Sequence, residues 1–303
     1  MEQFLAITGR NMKIYLRDRG AVFFSLLSTF IVIGLMVFFL GDMNIEGILG
    51  ILEEFPGRDV AEDEKNAKLL VLSWTSAGIL AINAVTVTLA VFSGMIRDRV
   101  NGRLNSIYTA PMSRITIAAG YIAAAWICSV IVCVITLAVT ETYAVIQGMQ
   151  AYDVLTHLQL LGLIMVNSFV FATLMYPVAL IAKTEGAWSG LGTVVGTLVG
   201  FLGGIYIPIG SLSDSIGSLM KCTPVIYSTA MFRKVMNTEL IEKTFAGTSE
   251  ELIAKYREEV GVDLQVFAHT LTVTQEWLLL VGCGILFLII GACMLKYGKK
   301  TDR

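Results

Sequence analysis

Hydrophobic positions in this chain fall in long unbroken runs, not in the alternations of two or 3.6 residues that mark half-buried strands and helices of soluble folds. Residues 20–41, 69–96, 115–140, 186–213 and 277–295 contain no charged side chain, and 154–182 contains only His157. About 20 apolar residues are needed for a helix to cross the hydrocarbon core of a bilayer. The pattern therefore predicts an all-α, polytopic membrane protein with six transmembrane helices, at about 20–41, 69–96, 115–140, 154–182, 186–210 and 277–295. The longest runs exceed the core thickness, so their ends tilt or extend into the interface.

The segments between the runs differ in kind. In residues 1–19, Phe4, Leu5, Met12 and Leu16 recur at near-helical spacing with Arg10, Lys13 and Arg17 between them. This predicts an N-terminal amphipathic interfacial helix, acting as a basic flank in the headgroups or as a support for a partner. Residues 42–68 read as an acidic loop with a solvated turn and short helix at 59–68. Segment 214–276 is the longest outside the spans. Its first part, 214–235, is too apolar for a loop and too short to cross, and Pro208 and Pro224 break helices on either side. Broken backbone at membrane depth is tolerated against protein or a water-filled cavity, so a re-entrant helix pair is expected between spans 5 and 6. Glu250, Glu251, Lys255 and Glu258 then mark a short exposed helix.

Charge gives the runs a direction. Segments 1–19, 97–114, 183–185 and 296–303 hold thirteen Lys and Arg against five Asp and Glu. Segments 42–68, 141–153 and 214–276 hold nine against nineteen. Basic loops stay in the cytoplasm, so both termini are expected inside a cell (inner) membrane, with 97–114 cytoplasmic and 214–276 extracytoplasmic. The first run ends Phe38-Phe39-Leu40-Gly41-Asp42, without a small-residue cleavage signature, and reads as a retained span.

Composition narrows the function. The chain of 303 residues is 55% apolar and only 15% charged, with a mean hydropathy of +0.73. Five Cys, of which Cys222 alone falls in a loop, build no disulfide framework. Two His and no paired-ligand spacing leave no metal or catalytic site in view, and no nucleic-acid partner is expected from a net charge of −2. No G-x-x-x-x-G-K-[ST] phosphate loop occurs, so the chain is not an enzyme that hydrolyses ATP; an ATP-driven process would need a separate ATPase. No Asp, Glu, Lys or Arg lies deep in a run, which disfavours a proton- or sodium-driven carrier. Gly192, Gly196, Gly200 and Gly204 recur every fourth residue along span 5, forming either a helix-packing face or the narrow wall of a substrate path. Ser73, Ser76, Asn83 and Thr86 in span 2, and Asn167, Ser168 and Thr173 in span 4, either bond helix to helix or face that path.

Two segments resemble the ABC-2-type exporter permeases, the transmembrane subunits of ABC transporters. Segment 97–114, RDRVNGRLNSIYTAPMSR, is similar to that family's loop between spans 2 and 3 at Gly102, Leu104, Ile107, Pro111, Ser113 and Arg114, and departs from it at Val100, Arg103, Asn105 and Ala110. Segment 203–233 resembles the exit of span 5 at Gly204, Pro208, Leu212, Pro224, Tyr227 and Arg233, with Ser213 where a proline is usual. The resemblance implies a single transmembrane domain over 1–303 that pairs with a second permease and docks two ABC ATPase subunits, which carry ATP and Mg. It implies an ATPase-coupling element at Arg97, Asp98, Arg99, Gly102, Arg103, Leu104, Pro111 and Arg114. A substrate path would run along Ser76, Asn83, Thr86, Gly196 and Gly200, and an outer gate would sit at Pro208, Leu212, Pro224 and Tyr227. The expected cargo is amphipathic: a drug, an antimicrobial peptide or a lipid-like molecule. The rival expectation is a membrane sensor or immunity protein that binds a peptide without transport.

Overall fold

The computed structural model describes residues 1–35, 41–109, 112–266 and 269–297. The protein is an all-α polytopic membrane protein. Four of its described helices are long and apolar enough to cross a bilayer. They are α4 (Val60–Val100), α6 (Arg114–Ile146), α7 (Val154–Ile181) and α12 (Val273–Tyr297). Around them lie α1 (Glu2–Arg17), α2 (Arg19–Leu35), α3 (Gly41–Leu52), α5 (Arg103–Thr109), α8 (Glu185–Leu202), α9 (Asp214–Lys221), α10 (Pro224–Thr244) and α11 (Glu250–Glu259). A two-residue hairpin, Gln265–Val266 against His269–Thr270, precedes α12.

The helix starts follow from side chains that accept the first free backbone N–H groups. Asp59 accepts from Ala61 N, Ser113 from Thr116 N, Asp153 from Thr156 N and Thr184 from Ala187 N. The Asp59 cap explains the main departure from the expected span 2. The helix begins at Val60 rather than near residue 69 and runs 41 residues, about 60 Å at 1.5 Å per residue, roughly twice the hydrocarbon thickness. Its first two turns are too charged for lipid, but their backbone bonds are satisfied within the helix wherever it sits. The helix expected at 59–68 is the start of α4, and the acidic segment 42–68 holds a second helix, α3, before it.

Helix α4 is the core. α10, α6, α7, α8 and α3 all pack on it, and Phe92, Leu80, Ile79 and Leu70 are fully enclosed. By contrast α12 is buried mainly where it meets α7 and α10 and shows Leu278, Leu286 and Ile289 outward. The segment after residue 203 departs from a plain loop in the expected direction. α9 and α10 form a helix pair broken at Cys222–Thr223, with Pro224 at the first helical position of α10. α10 then continues to Thr244, well past the expected 235, because its buried face, including Met231, Phe232, Met236 and Ile241, persists along α4. The short exposed helix expected near residue 250 is α11, in which no residue is buried.

α1 is the expected N-terminal helix, but its inward stripe is Ile7, Thr8, Asn11 and Tyr15, while Leu5 and Leu16 are exposed. It packs on α6 and α4. The approach depends on Gly120: a Cβ there would stand 2.6 Å from Ile7 Cγ2 and 2.9 Å from Ile7 Cβ. Ile7 is β-branched and cannot swing clear. Gly120→Leu is expected to lower stability by about 1–3 kcal/mol and to make residues 1–17 protease-sensitive. Gly196→Leu is the control, since a Cβ there meets nothing within 4 Å, and the thermal midpoint of the isolated chain should not move. Equal thermal shifts in the two variants would remove Gly120 from the contact.

Candidate functional site

The basic end of the molecule is a frame of four helix ends. Asp98, in the last turn of α4, is 2% exposed. Its carboxylate accepts from Arg10 Nη1 at 2.7 Å, Arg10 Nη2 at 2.8 Å and the Tyr121 hydroxyl at 2.9 Å. That one group joins α1, α4 and α6. The charge-assisted bonds to Asp98 also hold the Arg10 guanidinium above its ordinary pKa, against the opposing effect of burial. Arg99 turns the other way and donates to the carbonyls of Ala179, Leu180 and Ala182. It thereby caps the C-terminus of α7, where free carbonyls and the helix dipole favour a cation.

The expected coupling residues therefore separate into two sets. Asp98 and Arg99 face inward and hold the frame, and Leu104 is buried beneath α5. Arg103 and Arg114 are exposed, and so is Arg97, whose nearest carboxylate is Asp18 at 3.9 Å. Gly102 makes the turn between α4 and α5 at φ +71°, in the left-handed region where side chains with a Cβ are strained. Pro111 lies outside the described residues. What segment 97–114 presents is thus the seven-residue helix α5, which carries Arg103, with Arg97 and Arg114 beside it, hung from a rigid corner.

The residues expected along a substrate path differ in their surroundings. Ser76 and Asn83 are buried: Ser76 donates to its own helix at Leu72 O, and Asn83 donates to Thr136 Oγ1 at 2.9 Å. Both lie inside the bundle because the α4 faces carrying them are covered. Thr86 is half-buried and opens into a cleft of about 710 Å³ between α2, α4 and α8. Ser93, Thr193 and Trp188 share its wall, with Arg97 and Glu185 at the basic mouth. Trp188 holds the α4 side of the cleft through Nε1–H donated to Leu89 O at 3.2 Å and Ser93 Oγ at 3.1 Å. The helix α8 ends at Leu202, before the expected 210, because Gly204 leaves the helix at φ +62°. The four glycines do not form one continuous face. Gly196 is open, whereas a Cβ at Gly200 would meet the Tyr206 ring at 2.3 Å.

At the acidic end Tyr227 donates its hydroxyl to Lys221 O at 2.6 Å and pins α10 to the end of α9. Pro208 opens the short 3₁₀ turn Ile209–Ser211, and Leu212 closes it. Beneath lies Arg233, completely buried. It donates Nη2 to Gly204 O at 2.8 Å and Nη1 to Val260 O at 3.0 Å, and sits 4.2 Å from the Trp74 ring centroid. Trp74 Nε1 donates to the same Val260 carbonyl at 2.8 Å. Tyr121, Trp188 and Trp74 carried no sequence signal, and Arg10 stood out only as a basic residue of the first helix: each acts through a partner far along the chain, where spacing is uninformative.

A family model described as ABC-2 family transporter protein matches residues 58–293, from the start of α4 almost to the end of α12. No curated protein matches the chain.

Proposed function

Because this chain belongs to the ABC-2 family of transporter proteins, we propose that it is the permease subunit of an ATP-driven exporter, moving an amphipathic substrate outward. It has no ATPase site of its own. It pairs with a second permease, identical or homologous, and two ABC ATPase subunits bearing ATP and Mg dock beneath the basic end. That end faces the cytoplasm and the acidic end faces outward across the cell membrane. On this reading there are six spans. The segment beginning with α2 supplies the first. The 18-residue α8 is the fifth, short for lipid but adequate beside a polar cleft. The α9–α10 pair re-enters from outside and serves as the outer gate.

The observation that carries this reading is the basic corner. A short helix with exposed Arg103 and Arg114 is suspended from α1, α4, α6 and α7 by Asp98 and Arg99. Motion imposed on α5 by a partner passes directly into α4, which reaches the opposite end of the molecule. ATP binding then shifts the permease only through the partner's unequal affinity for its two states. The cleft of α2, α4 and α8 is the substrate path, amphipathic because Trp188 and Phe24 line it together with Thr86, Ser93 and Thr193.

Reversing two of the three exposed arginines, Arg103→Glu with Arg114→Glu, is expected to reduce substrate-stimulated ATP hydrolysis by the reconstituted complex at least about tenfold, equivalent to roughly 1.4 kcal/mol of coupling. The permease should keep its thermal midpoint. Undiminished stimulation would place the docking surface elsewhere, and an absence of any ATPase partner in pull-down from membranes would favour a peptide-binding sensor.

A further inference from the structure

A second cleft, of about 660 Å³, lies at the acidic end between α7, α10, α11, α12 and the residues flanking the hairpin. Its deep walls are apolar, from Gly162, Leu163, Met231 and Trp277. Its rim is ionic. Arg257 bonds Asp263 at 2.7 Å, Asp263 lies 3.5 Å from Lys234, and Lys234 reaches Glu276 at 2.9 Å. The row alternates in sign and sums to zero. One feature shows that the rim is not closed upon itself: among the described residues, the hydrogen bond of Arg257 Nη1 is a 3.3 Å contact to Thr238 Oγ1, a long bond for a guanidinium. Glu276 lies behind the rim, 0% exposed, and its Oε2 has no hydrogen-bond partner among the described residues.

The position of the cleft in the bilayer narrows what can enter it. Gly162 is in the third turn of α7 and Trp277 in the second turn of α12. Deeper toward the middle of both helices the outward side chains are large and apolar, among them Met165, Val281 and Ile285. A bilayer placed over those side chains puts the cleft at headgroup level, with the Trp277 indole at the boundary as interfacial tryptophans are placed. The unassigned site has an acyl-compatible floor and a charged rim.

We infer that this cleft binds a zwitterionic phospholipid from the adjoining leaflet, with its phosphate toward Arg257 and Lys234 and its ammonium toward Asp263. The rim chooses between lipid classes. A phosphate alone would approach Arg257 and Lys234 with Asp263 and Glu276 close behind, adding negative charge to a row already neutral. A headgroup that carries both signs meets both, and leaves the sum unchanged. Burial pushes the Asp263 carboxyl up, but Arg257 and Lys234 hold it below its ordinary range, so the ammonium meets a charge at neutral pH. On the topology proposed above the leaflet is the outer one, and the bound lipid would wedge α12 against α10, the gate helix. The binding itself depends only on the chain lying in a membrane, so it can fail or stand independently of the export reading.

The test uses the full chain, equilibrated in vesicles of equal phosphatidylethanolamine and phosphatidylglycerol, extracted, and weighed by native mass spectrometry. Wild type is expected to retain phosphatidylethanolamine several-fold above its share of the bulk. Gly162→Phe places a ring in the cleft, where a Cβ meets nothing within 4 Å; it should abolish the enrichment without moving the thermal midpoint. Arg257→Gln, a rim change that leaves the floor intact, should reduce the enrichment if Gly162→Phe misfolds. Retention in the bulk ratio, a preference for phosphatidylglycerol, or enrichment that survives both variants would each overturn the assignment and leave the rim a structural ion network only.

Discussion

Replacing Asp98 with Ala is expected to detach α1 from the frame and to lower stability by about 2–3 kcal/mol, read as a fall in thermal midpoint of the full chain. Removing one partner of a buried ion pair costs about 3–5 kcal/mol. Asp98 meets that condition, but the Arg10 side chain is 35% exposed and recovers part of its hydration, which brings the figure down. The Tyr121 hydroxyl recovers nothing, because Tyr121 is buried and loses its acceptor. Asp98→Asn keeps an acceptor for Tyr121 but loses the charge, so it should fall between wild type and Ala. Arg10→Ala combined with Asp98→Ala should cost less than the sum of the single changes. In the reconstituted complex, Asp98→Ala should depress stimulated ATP hydrolysis although the residue touches no partner. Full additivity of the two single variants would show that the pair is geometry without energy.

That prediction marks where sequence reading stops. The four helices long and apolar enough to cross a bilayer were legible because lipid forbids unpaired backbone and charge over about 20 residues, a constraint visible without any partner. Segment 97–114 was legible as the connection between two long helices, α4 and α6. Which of its arginines point out was not. Arg99 turns inward because the carbonyls that end α7 lie beside it, and Asp98 is taken by an arginine 88 positions earlier. Ser76, Asn83 and Thr86 share one helix and one chemistry, yet only Thr86 lies on the strip that α6 and α7 leave uncovered. The expected span 5 ran too long because its glycines look alike in sequence, and only the fold shows that Gly204 is outside the helix.

The long α4 gives this arrangement its mechanical sense. Its basic end carries Asp98 and Arg99, its middle lines the α2–α8 cleft with Thr86 and Ser93, and its acidic end carries Trp74. Arg58, just before it, donates to Asp63 and to the carbonyls of Thr244 and Ala246 at the end of α10, so the gate helix is fastened to α4 at its C-terminus. A single helix thus connects the corner proposed for the ATPase to the gate proposed for the exit. A rigid helix transmits displacement only if both attachments hold.

The second attachment is Arg233, and Arg233→Met is expected to lower stability by about 2–4 kcal/mol while uncoupling ATP hydrolysis from transport. The partners of this guanidinium are two carbonyls and an indole, with no carboxylate in ion-pair range among the described residues. A methionine of similar length relieves the burial of an unneutralised charge, which is favourable. It also removes two donors. Trp74 still satisfies Val260 O, but Gly204 O is left without its bond, at about 1–3 kcal/mol, and a desolvated cation–π contact of about 2 kcal/mol goes as well. The losses exceed the relief because Arg233 ties the exit of α8 at Gly204 and the end of α11 at Val260 to α10. Arg233→Lys keeps the cation but cannot fork across two carbonyls on separate segments, so it should recover about half. Gly261→Ala provides an independent approach to the same point: its φ of +69° strains a Cβ, which would stand 3.0 Å from Arg233 Nη1. It should mimic the methionine variant without touching the arginine. The discriminating readout is the ratio of substrate moved to ATP hydrolysed. If Arg233 only adds stability, that ratio stays constant in every variant that folds; if it holds the gate closed between cycles, the ratio falls in Met and Ala variants and is partly restored by Lys.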